Sequence, residues 1–175
     1  MSEVRMPEPW LRGTLMDVAA VPRAVLHALE LTREDLTRWC GDLSDVELNA
    51  RPEELAPVAF HLRHIARSID RLLSYAEGGQ LNDEQIAALK TELDGNATRD
   101  ELFAELAAAL ERGAMRIRRF DADHLQEPRQ VGAKRLPTTA GGLLVHIADH
   151  TQRHVGQAIT TSKIVVARRG RLETF

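Results

Sequence analysis

The sequence predicts an all-α fold, a four-helix bundle with long crossover connections. Three observations carry that expectation. Apolar residues recur three and four apart in four long stretches, the period of an amphipathic helix. Capping residues or prolines open these stretches, and glycines close several of them. Two of the intervening segments are too long and too polar for tight turns, which suits connections that cross a bundle.

The first long helix runs from Pro22 to Cys40 with Val25, Leu26, Leu29, Leu36 and Trp39 at helical spacing, Pro22 being tolerated only in the first turn. The segment "CGDLSDVELNARPEEL", with Gly41 and Pro52, reads as a polar crossover linker. The second long helix, Pro57 to Tyr75, has a wide apolar face of Val58, Leu62, Ile65, Ile69, Leu72 and Leu73, and Gly78-Gly79 stop it. A short satellite helix follows, capped at Asn82 and closed by Gly95. Thr98 and Glu101 form a capping box at the head of the third long helix, whose stripe is Leu102, Leu106, Leu110 and Ile117. About twenty residues from Phe120 to Thr139 then read as a loop, functional or crossing. The fourth helix starts near Pro137 to Thr139 and runs through Ala167 into a basic tail, "RRGRLETF", expected to be mobile.

The bulk properties exclude several classes of function. A chain of 175 residues fits one domain, 1–175 with a core of about 21–167, and can bury a core without disulfides. Its 23 basic and 26 acidic residues leave a net charge of -3, with the arginines spread rather than striped, so no nucleic-acid partner is expected. Cys40 is the lone cysteine, and no secretory pattern opens the chain, so a soluble, cytoplasmic protein is expected. No apolar run approaches the roughly 18 residues of a membrane span. Leu26 and Phe103, read as exposed, make a twofold homodimer a further expectation.

The segment "HIADHTQRHVGQ" places His146, His150 and His154 four apart, three of seven histidines in all. At about 100° per residue, positions four apart drift by about 40°, so one sector holds all three. His150 and His154 fall within or beside the cluster of Leu143, Ile147, Ala158 and Val165 and should face the core. His146 lies on the flank near Arg153 and Ile164, whereas Asp149, Gln152 and Lys163 belong to the water-facing side. Two inward imidazoles one turn apart can share a metal ion, and each buried ring otherwise needs partners for both nitrogens. A third ligand must come from elsewhere. The second helix reads "FHLRHIARSIDRLL", where His61 lies near the centre of the apolar face and His64 on its flank, and spacing leaves that choice open.

Taken together, "HLRHIARSIDRLL", a later "LP" and "GGLLVHIADHTQRHVGQ" resemble the DinB-like, or YfiT-like, superfamily of metal-dependent enzymes, from about Val21 to Val165. The resemblance implies a four-helix bundle with one metal-binding histidine on the second helix, directly before an "IA" pair, and a His-x3-His pair on the last. Carried over, the metal ligands are His64, His150 and His154. Many relatives have a second histidine before the last ligand, where this chain has Arg153, a helical-spacing partner for Asp149. Gly156 is expected to allow close helix packing, and Gln157 to bond either a ligand imidazole or a neighbouring helix.

Three neutral imidazoles keep an ion's full charge and leave its coordination open, which is a catalytic arrangement. The resemblance implies a low-molecular-weight thiol S-transferase first and a related hydrolase second, acting on a small-molecule substrate. Zinc is the first choice of divalent ion, with nickel and iron as alternatives. No general base is evident: Asp70 and Tyr75 are near only in sequence, Asp70 is expected to be a solvated charge or to pair with Arg67 or Arg71, and Cys40 reads as a packed residue rather than a nucleophile. The competing class is a non-enzymatic metal-binding, dimerisation or stress-response bundle.

Overall fold

Pro22 lies in the first turn of α1 (Ala20–Cys40), where its missing N–H breaks no helical hydrogen bond. The computed structural model describes residues 6–172, with side chains as far as Arg169. Five further helices follow: α2 (Asp45–Asn49), α3 (Val58–Ala76), α4 (Asp83–Lys90), α5 (Arg99–Ile117) and α6 (Ala140–Leu172). A two-stranded hairpin of β1 (Pro128–Val131) and β2 (Leu136–Thr139) precedes α6. The fold is all-α with this one small addition.

The four long helices pack in the cyclic order α1, α6, α3, α5. Successive long helices α1 and α3 therefore stand across a diagonal, as do α5 and α6, and each connection between them crosses an end of the bundle. These are the two long connections that the sequence marks. Leu62, Ile65, Ile69 and Leu73 of α3 are fully buried, and they meet Leu29 and Leu36 of α1, Leu110 and Ile117 of α5, and Leu144 and Ile147 of α6 in one core. No helix among the described residues is long and apolar enough to cross a membrane.

Both crossovers contain more structure than their composition implies. Ser44 and Glu47 make a reciprocal capping box for α2 inside the first. The second contains a 3-10 turn at Asp123–Gln126 and the antiparallel hairpin, registered from Pro128 against Thr139 to Val131 against Leu136. Gly132 turns it with φ +69. Four-residue strands, mostly exposed, have too little alternation to be told from loop by pattern alone.

Three expectations are corrected here. Leu26 is buried in the core and Phe103 is partly covered against it, so neither offers a free apolar surface. Gln152 does not face water: its amide donates to the Ala28 carbonyl at 2.9 Å and to Thr32 Oγ1 at 3.0 Å, tying α6 to α1. The helix continues past Ala167 to Leu172, and Arg168 and Arg169 pair with Glu53 and Glu47 of the first crossover, cations placed well at a helix C-terminus. Residues 173–175 of the basic tail lie outside the described residues.

Candidate metal centre

Because α6 packs directly on α3, the histidine stripe of one faces the histidines of the other. His64 Nε2 lies 2.8 Å from His150 Nε2. The His64 and His154 rings are centred 4.3 Å apart, and those of His150 and His154 4.6 Å. One nitrogen from each of the three rings lies within 4.8 Å of the other two, so they can converge on one ion. All three are half-buried.

His61 also reaches α6. It is buried, and its Nδ1 lies 3.0 Å from Nδ1 of His154. Both histidines of α3 thus touch the pair on α6: His64 lies against both His150 and His154, and His61 lies against His154. His146 is exposed on the flank, its ring 5.4 Å from that of His150. Phe60 stacks on His64 at 5.2 Å and presents an edge to His154, giving the cluster an aromatic wall.

The surroundings keep His61, His150 and His154 neutral. Burial, with the neighbouring His64 adding to it, pushes His61 and His150 down to about 4 and His154 down to about 3. Neutral imidazoles are the protonation state that a metal ion requires. A metal ion instead uses the lone pairs that neutral, converging imidazoles leave available.

One buried group escaped the sequence reading. Glu92, in the turn after α4, accepts from His64 Nδ1 at 2.7 Å and from Arg71 at 2.6 Å. Burial, the largest single influence, would raise its carboxyl, but the two hydrogen bonds together with the charges of Arg71 and His64 outweigh it, and its pKa ends below the usual carboxylate value. A stripe of arginines four apart on α3 was the available signal. Arg63 donates to the Asp94 carbonyl, Arg67 to the Ala88 carbonyl and Thr91 Oγ1, and Arg71 to Glu92.

The remaining candidates fall away from the cluster. Asp70 pairs with Arg116 at 2.6 Å and accepts from Gln85, rather than pairing with Arg67 or Arg71. Tyr75 is buried in the core, and Cys40 is buried beside Ser162. Arg153 pairs with Asp149 one turn away, as their spacing implies. Gly156 lies on an open face, where an added Cβ would meet nothing within 4 Å, so close helix packing is not its role, and Gln157 is exposed.

The fold has a solved counterpart. A conserved protein from Enterococcus faecalis superposes with a TM-score of 0.65 at 20% identity, covering 84% of this chain and 98% of that one. A search of curated proteins finds no match. Residues 28–158, which contain all four clustered histidines, match the DinB superfamily, and the chain belongs to it.

Proposed function

We propose that the chain is a metal-dependent enzyme holding a divalent ion through His64, His150 and His154, and that it transfers a low-molecular-weight thiol to a small-molecule substrate. The supporting observation is the convergence of one nitrogen from each of these rings within 4.8 Å. The donor set fits an ion of the zinc, nickel or iron group: three imidazoles, two of them held neutral well below pH 7, with no carboxylate among the three. A bound ion would supply Lewis acidity and lower the pKa of a coordinated thiol or water.

The protein's own residues favour the thiol over water. Glu92 is engaged by His64 and Arg71, Asp70 by Arg116, and Cys40 is buried, so none stands free beside the cluster as a proton acceptor. A thiol, with a reference pKa of about 8.5, needs far less help to ionise than water at about 15.7. Hydrolysis is the second reading on the same site. The reading includes a cytoplasmic location, and a homodimer would need a surface other than Leu26.

The deciding experiment is bound metal per chain, by elemental analysis of protein purified without a His tag. Stoichiometric metal in the wild type, lost in His64→Ala, His150→Ala and His154→Ala but retained in His146→Ala, supports the proposal. Absence of metal supports the non-enzymatic bundle. Metal stripped by His146→Ala and kept by His154→Ala places the site one turn away.

A further inference from the structure

The turn after α4 places one buried carboxylate behind His64, and α3 holds that turn from three successive helical steps. Arg63 bonds the Asp94 carbonyl, Arg67 bonds the Ala88 carbonyl and the Thr91 hydroxyl, and Arg71 bonds Glu92 itself. Glu92 is only 5% exposed. Its two oxygens are divided, Oε1 to Arg71 and Oε2 to His64 Nδ1. A buried carboxylate is costly unless it is paired, and the partners that pair this one are Arg71 and His64.

We infer that Glu92 is a positioning residue that fixes the tautomer and ring orientation of His64. An ionised carboxylate only accepts, so His64 Nδ1 must carry the proton and Nε2 must present its lone pair. That lone pair faces His150 Nε2, on the side where the three rings converge. A carboxylate behind a metal-binding histidine raises the basicity of the ring as well as orienting it. Arg71 sets the polarity of the arrangement, because a guanidinium only donates and so holds the acceptor character of Glu92 in place. The short helix α4 thereby has a function: it delivers one side chain to the back of His64, 28 residues away in sequence. This inference rests on the proposed metal site.

The test is E92Q, a substitution of nearly the same shape. Its amide has one oxygen and one NH2, and Arg71 can only donate, so the oxygen turns to Arg71 and the NH2 donates to His64 Nδ1. The proton of His64 is then driven to Nε2, the wrong nitrogen for the cluster. Long-range 15N–1H spectra of the metal-free protein at about pH 8, above the imidazole reference of about 6.5, read the tautomer directly. The expected result is Nδ1–H in the wild type and Nε2–H in E92Q, with zinc affinity, measured by chelator competition, falling about 10–100-fold. An Nε2–H tautomer for His64 in the wild type overturns the inference, and this measurement decides even if E92Q does not fold. A wild type that binds zinc with E92Q matching its affinity overturns the role of Glu92 alone. A wild type with the Nδ1–H tautomer that takes up no zinc overturns the metal reading and leaves the hold of Glu92 on His64 standing.

Discussion

Nδ1 of His61 lies 3.0 Å from Nδ1 of His154, so one of the two rings donates a proton that the other accepts. If His154 offers Nε2 to an ion, its Nδ1–H is the donor and His61 is the acceptor behind it. His61→Ala is therefore expected to weaken zinc binding about 10-fold, less than loss of a ligand but more than His146→Ala, whose ring is exposed. Chelator competition on the two variants checks this. Equal affinities for the two would show that the contact between His61 and His154 does not orient the ligand.

Acid should destabilise the metal-free protein earlier than its carboxylates alone would require. In the unfolded chain these imidazoles titrate near about 6.5. In the folded protein burial holds His61 and His150 down to about 4 and His154 down to about 3. Between those values the unfolded state binds more protons, so stability falls as pH drops below about 6.5 and the loss is complete below about 3. Above about 6.5 the rings are neutral in both states and contribute no pH dependence. The unfolding free energy of chelator-treated protein, from urea titrations, should decline from about pH 7 to about pH 5 by on the order of 2 kcal/mol after allowance for solvent screening, and the urea midpoint should fall with it. A flat or rising midpoint over that range would contradict the depressed values.

Cys40 should be inert in the native state. Burial pushes its thiol up to about 11, despite an opposing hydrogen bond with Ser162. The thiolate is the reactive form, so a thiol reagent at about pH 8 should label the denatured protein readily and the native protein only at the rate of unfolding. Rapid labelling of native protein would reopen Cys40 as a nucleophile.

Two glycine-to-alanine changes should act with opposite signs. At Gly113 of α5 an added Cβ would stand 2.8 Å from Ile69 Cγ2 of α3, with Leu29 and Leu73 also close. Ile69 is buried and β-branched, so it has little freedom to yield. The strain of about 1–3 kcal/mol is expected to exceed the helix-propensity gain of up to about 1 kcal/mol, and Gly113→Ala should be destabilising. At Gly156 of α6 an added Cβ meets nothing within 4 Å, so Gly156→Ala should stabilise by up to about 1 kcal/mol. Denaturant midpoints of the two variants decide both.

The sequence by itself determined what depends on near neighbours along the chain. Thr98 with Glu101 opens α5 and Asn82 with Gln85 opens α4, because a capping box closes within three residues. His150 and His154 share one face of α6 because the helical period places residues four apart in one sector. The Ser44 and Glu47 box was equally local, although it lies in a segment that reads as linker. What the period could not settle is how far α3 is rotated against α6, which is set by packing of side chains from several helices at once. Only that rotation brings His64 Nε2 to His150 and His61 Nδ1 to His154, a distinction that the wheel leaves open. The same holds for Glu92 behind His64 and for Arg116 on Asp70: contacts between residues 28 and 46 apart exist only once the helices are assembled. Local hydrogen bonding writes the helices and their faces into the sequence, and long-range packing decides which side chains those faces bring together.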